Sequence, residues 1–94
     1  MRELESIESE VCDWCLAYLA KTFNIPAARI DPHAKFARLG MDSAASVFLI
    51  VELEEWLGLE LPSTIVSEYP TPAQLARYIA VRHSATIEAK GRVG

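Results

Sequence analysis

Apolar positions along the first quarter of the chain recur every three or four residues. Leu4, Ile7, Val11, Trp14 and Tyr18 carry the period, and Cys15, Leu19 and Phe23 widen the stripe. That spacing predicts an amphipathic helix from residue 3 to about 23, closed by Asn24 and Pro26. The next stretch, "IPAARIDPHAKFARLGMD", holds two prolines and isolated apolar anchors, Ile25, Ile30, Phe36 and Leu39, with no sustained period. It is expected to be a long ordered loop pinned by those anchors, and loops of that length in small domains tend to serve function. A second helix is expected from Asp42 or Ser43 to just before Gly58, a residue suited to a left-handed helix end. "LELPSTIVSEYP" leaves room for one short helical piece around 63–68 between Pro62 and Pro70. The last helix announces itself with Thr71 as N-cap, Pro72 at the first helical position and Gln74 completing a T-x-x-Q box. Leu75, Ala76, Ile79 and Tyr78 form its inner stripe, and after His83 the periodicity fades. The predicted fold class is all-α: a small bundle of three main helices plus one short helix, with a long ordered loop between the first and second main helices.

The second helix has an uneven surface. Leu49, Leu53 and Leu57 with Ile50 and Trp56 make one stripe broad enough to face a core. On the other side stand Ala44, Val47, Phe48 and Val51, followed by Glu52, Glu54 and Glu55. The half near Ser43 is therefore apolar all round, whereas the far half is acidic. An apolar patch rimmed by carboxylates suits a partner that offers hydrophobic and basic groups.

Composition narrows the function classes. With 94 residues, 51% of them hydrophobic, the chain has room for one domain and little to spare for an enclosed catalytic cavity. The net charge of −4 argues against nucleic acid as a partner, because phosphates demand a basic surface. The N-terminus carries acids where a signal peptide would need an apolar run, and the run from Val47 to Val51 is too short to span a bilayer. A cytoplasmic protein without membrane contact is the expectation. Cys12 and Cys15 form a C-x-x-C in mid-helix, without the preceding strand of a redox motif. His33 and His83 stand singly, so a zinc site is not expected. A serine hydrolase using Ser43 with either histidine would need a G-x-S-x-G elbow that the chain lacks. A plain helical interaction module would leave the Asp-Ser pair and Phe48 unexplained.

Ser43 is the residue of most chemical interest. Asp42 already supplies a capping carboxylate, which leaves Ser43 one step inside the helix with its hydroxyl directed outward. Gly40 is expected to let another backbone approach closely. An anion attached at that hydroxyl would sit beside the unpaired N–H groups and positive end of the helix, so the position suits a phosphoester.

"LGMDS" leading a helix resembles the phosphopantetheine attachment motif of acyl carrier proteins. The similarity extends to "FNIPAARIDPHAKFARLG" before it and "GLELPSTIVSEYPTPAQLARYIA" after it, which look like carrier domains of polyketide synthases and cover residues 5 to 82 or so. The resemblance implies that Ser43 carries a covalent 4'-phosphopantetheine arm derived from coenzyme A, with Asp42 as its helix-start partner, and that the protein catalyses nothing itself. It implies a phosphopantetheinyl transferase, a loading enzyme (acyl-adenylate ligase or acyltransferase), and a ketosynthase or other downstream enzyme as partners. Ala44 stands where the family commonly has leucine, and Phe48 where it is often acidic. Docking is therefore expected to use Ala44, Val47, Phe48 and Val51 with Glu52 and Glu55. This more apolar edge resembles starter-unit carriers charged by ligases, whereas an extender-unit carrier would accept malonyl groups. The expected division is a carrier domain over 1–83 and a tail or linker over 84–94, acting as a discrete carrier loaded in trans. A peptidyl carrier of nonribosomal peptide synthesis is the alternative, with the same arm and an amino acid as cargo.

Overall fold

The computed structural model describes residues 4–93, with side chains as far as His83. Its helices are α1 (Leu4–Phe23), α2 (Ser43–Leu57), α3 (Ile65–Glu68) and α4 (Pro72–Val93). Two 3₁₀ turns, Ala27–Arg29 and Phe36–Leu39, lie in the connection between α1 and α2. No strand occurs among the described residues.

Each helix end is closed by its own residues. At the end of α1, Asn24 takes the left-handed conformation (φ 56°), and the Ile25 N–H reaches back to the Ala20 carbonyl at 3.0 Å. That is the six-to-one bond of a Schellman cap, built here on asparagine. Gly58 (φ 72°) does the same for α2, where the Gly58 and Leu59 N–H groups both reach the Glu54 carbonyl. The start of α4 forms as its sequence implies. The Gln74 N–H donates to Thr71 Oγ1 at 3.1 Å, and the Thr71 hydroxyl donates to Gln74 Oε1. Two differences in extent appear. α3 begins at Ile65 rather than Ser63, because Ser63 and Thr64 still turn out of Pro62. α4 runs on to Val93 instead of fading after His83. Ala85, Glu88, Ala89 and Lys90 are helix-favouring residues, so backbone propensity supports the continuation. The proposed tail at 84–94 thus falls on residues whose side chains lie outside those described.

The core follows the periodicity. Ile7, Val11, Cys15 and Leu19 bury one line of α1, which packs along Leu75, Ala76, Ile79 and Ala80 of α4. Leu49, Ile50, Leu53 and Leu57 of α2 close the third side, and Leu61 and the α3 residue Ile65 join the same buried cluster. Trp14 and Tyr18 prove only half-buried, so the α1 stripe is centred on Cys15 and Leu19. The mid-helix Cys15 is a packing residue whose thiol burial pushes up to about 12, far from the pKa of a reactive cysteine. Among the described residues no cluster of metal-ligating side chains forms, and no helix is long and apolar enough to cross a membrane.

The connection between α1 and α2 is held at both levels, side chain and backbone. Ile30 and Phe36 are buried, as two of the four anchors should be, while Ile25 is exposed and Leu39 half-buried. Two backbone bonds tie the loop to the entrance of α4. The Phe36 N–H donates to the Pro70 carbonyl at 2.8 Å, and the Ala73 N–H to the Pro32 carbonyl at 2.9 Å. Ala73 lies in the first turn of α4, where no intrahelical acceptor exists, so the loop satisfies a donor that would otherwise be orphaned.

Candidate functional site

The approach to Ser43 is a tight sequence of turns. The 3₁₀ turn Phe36–Leu39 ends on Gly40, whose φ of 96° is costly for any residue with a Cβ. Space is not the reason for glycine here: a Cβ would meet only the Phe23 ring, at an ordinary 3.7 Å. Met41 then folds inward, its N–H on the Phe36 carbonyl and its side chain 7% exposed. With Met41 anchored in the core, the next two residues emerge at the surface as the mouth of α2. The periodicity does not single out Met41; its signal in the sequence is an apolar residue between Gly40 and Asp42.

Asp42 is the N-cap. Its extended backbone (φ −94°, ψ −175°) turns the carboxylate onto the helix start, where Oδ1 accepts the Ala45 N–H at 2.8 Å. The Asp42 carbonyl accepts the Ser46 N–H at 2.9 Å. These bonds leave the N–H groups of Ser43 and Ala44 ahead of the first helical acceptor. Ser43 is exposed, and its hydroxyl forms no hydrogen bond among the described residues. The hydroxyl is spared from capping and lies at the positive end of a 15-residue helix. An exposed hydroxyl beside two unpaired donors fits a covalently attached phosphodiester.

The structure gathers the expected contact residues along one exposed side of α2. Phe48 is 64% exposed, Val47 55% and Val51 45%, with Ala44 exposed beside them. Val47 and Val51 are thus not hidden by a neighbouring helix. Glu52 and Glu55 follow on the same side, both exposed. Glu54 plays a structural part instead, for its Oε2 accepts the Leu61 N–H at 2.7 Å and fixes the turn after α2. Trp56 departs from expectation. Placed by periodicity in the inner stripe, it is 46% exposed and stacks on Trp14 of α1, ring centroids 5.5 Å apart. At the border of the stripe the indole finds a flat partner at the surface and rests there.

Comparison with known proteins agrees with this geometry. The family described as "Phosphopantetheine attachment site" matches residues 13–79. The chain is 35% identical over 85 residues, 89% of its length, to a phenolphthiocerol synthesis polyketide synthase type I of Mycobacterium bovis, of which it spans 4%. Among solved structures it is similar to a free-standing peptidyl carrier protein from Acinetobacter baumannii (TM-score 0.74, 30% identity, 79% of this chain and 92% of that one). It is also similar to an acyl carrier protein from Anabaena with a variant phosphopantetheinylation-site sequence (TM-score 0.75, 28% identity, 79% and 84%). With a four-helix fold, an unencumbered serine at the mouth of α2 and a family match across most of its length, this chain belongs to the phosphopantetheine attachment site family, the carrier domains that bind 4'-phosphopantetheine covalently.

Proposed function

We propose that Ser43 is the attachment residue and that the protein carries acyl groups for polyketide or related acyl-chain assembly. The observation that carries this reading is the division of labour at the helix mouth, where Asp42 caps α2 and Ser43 is left exposed and unbonded. Ser43 Oγ gives its proton to a base of the phosphopantetheinyl transferase and gains a phosphoester bond. The pyrophosphate linkage of coenzyme A breaks, and adenosine 3',5'-bisphosphate departs. When bound, the arm supplies a terminal thiol that holds an acyl group as a thioester. The chain's own contribution is positional: α2 holds the attachment point rigidly at the surface, and tethering replaces diffusion by a high local concentration. The protein itself carries out no catalysis in this reading.

Ala44, Val47, Phe48 and Val51 with Glu52 and Glu55 form the docking edge for the transferase, for the loading enzyme and for a ketosynthase or other downstream enzyme. Support comes from their exposure on one side of the helix that bears Ser43. The apolar character of that edge favours loading by an acyl-adenylate-forming ligase over transfer of malonyl groups. The similarity to a free-standing peptidyl carrier favours a second reading, an aminoacyl cargo on the same serine. Incubation with coenzyme A and a broad-range phosphopantetheinyl transferase, followed by intact mass, tests the attachment. The native chain gains the arm's mass and Ser43→Ala does not; a gain by the Ala variant overturns the assignment. Offering the modified protein a fatty-acid ligase or an amino-acid-activating enzyme, each with ATP, then separates the two cargoes.

A further inference from the structure

We infer that the groove between α1 and α2 is a docking site for an arginine side chain presented by a partner protein. This rests on the reading of the docking edge above and extends it around the helix. Phe48, Glu52 and Glu55 stand at i, i+4 and i+7 on α2, so the edge and the groove share their carboxylates and form one surface.

The groove is open and about 500 Å³ in volume, lined by Trp14, Ala17, Tyr18, Lys21, Glu52, Glu55 and Trp56. One wall is a ladder of three rings. Tyr18 stacks on Trp14 at 5.4 Å and 15°, and Trp14 on Trp56 at 5.5 Å and 11°. The other feature is charge: Glu52 and Glu55 outweigh Lys21 by one negative charge, and no ion pair between them forms among the described residues. The field of Glu52 reaches Tyr18, whose phenol is raised above its ordinary value first by burial and then by that carboxylate, with a Thr22 hydrogen bond working against both.

The exposed part of Trp56, beside two carboxylates that form no ion pair among the described residues, favours one side chain in particular. A guanidinium is planar and stacks on tryptophan, and its fork of N–H donors meets a carboxylate in bidentate fashion. A lysine ammonium is a compact, strongly hydrated point charge that can use the carboxylates but gains less from the stacked wall. An exposed tryptophan is a poor surface residue for a carrier that meets many enzymes unless something covers it. An arginine from a partner would cover Trp56 and neutralise the surplus charge in one contact.

The test uses the unmodified protein with fluorescein-labelled, acetylated hexa-arginine, and hexa-lysine as the charge control, read by anisotropy at low salt. Hexa-arginine should bind at least about threefold tighter than hexa-lysine, and Trp56→Leu should weaken hexa-arginine by about two- to fivefold while sparing hexa-lysine. Glu52→Gln with Glu55→Gln should weaken both peptides. Trp14 and Trp56 are the only tryptophans, so unlabelled hexa-arginine should also change the tryptophan emission saturably. Circular dichroism confirms that each variant is folded, and Trp56→Phe, which keeps a smaller ring, should retain part of the preference. Equal affinity for the two peptides, an indifferent Trp56→Leu or an unchanged emission overturns the inference. So does concentration-dependent dimerisation that alters the emission without peptide, which would assign the groove to a second copy. Failure of Ser43 to accept the arm would defeat the carrier reading in a separate assay and leave these binding data standing.

Discussion

At the entrance of α2, Asp42 takes the cap and leaves Ser43 exposed beside it. Because the Asp42 carboxylate accepts the Ala45 N–H, Asp42→Ala should destabilise the protein by about 1 kcal/mol. That corresponds to a fall in melting temperature of about 4–8 °C for a domain of this size. Ser43→Ala should melt within about a degree of the native chain, since alanine is favoured in a first turn and no hydroxyl bond is lost. Paired thermal melts decide this: a large drop for Ser43→Ala would make the serine structural. The Asp42 cap and the exposure of Ser43 were legible in the sequence, because a cap and its neighbour are set by local geometry. Met41 and Trp56 were not. Burial of Met41 depends on the turn at Gly40 and on the Phe36 carbonyl that receives its N–H. The place of Trp56 depends on what another helix presents at the same height.

At the scale of elements, the periodicity of α2 located the centre of its buried face and left its borders open. Leu49, Leu53 and Leu57 are buried as the period requires, whereas Trp56 sits at the margin, where a small rotation decides between core and surface. The acidic end of the helix illustrates the same limit. Three glutamates look equivalent in sequence, yet among the described residues only Glu54 accepts a backbone N–H from beyond the helix. Glu54→Ala should therefore cost about 1–3 kcal/mol by leaving the Leu61 N–H without its partner. Glu55→Ala should stay within about 0.5 kcal/mol of native. Urea unfolding of the two variants measures the difference, and equal midpoints would show that the Leu61 amide is satisfied by water. The caps were legible for the opposite reason: Thr71, Pro72, Gln74 and Gly58 act within a turn of themselves.

Over the whole molecule, the net charge of −4 predicts how partners approach. Replacing Glu52 and Glu55 by lysine should slow association with a loading or downstream enzyme and flatten its dependence on salt, while Phe48→Ala should speed departure. Surface plasmon resonance with an enzyme that uses the carrier reads both rates, and unchanged kinetics in both variants would move recognition to the loop before Ser43. That loop carries a consequence of its own. Its two backbone bonds to the entrance of α4, Phe36 to Pro70 and Ala73 to Pro32, join segments far apart in sequence, and breaking either requires the loop to part from α4. In deuterated water the Phe36 and Ala73 amides should exchange at one shared rate, slower than the amides of Arg29 and Ala34, whose bonds close only local turns. Residue-resolved exchange would thus time how often the strap leading to Ser43 comes undone, and two unequal rates would mean that its stitches open one at a time.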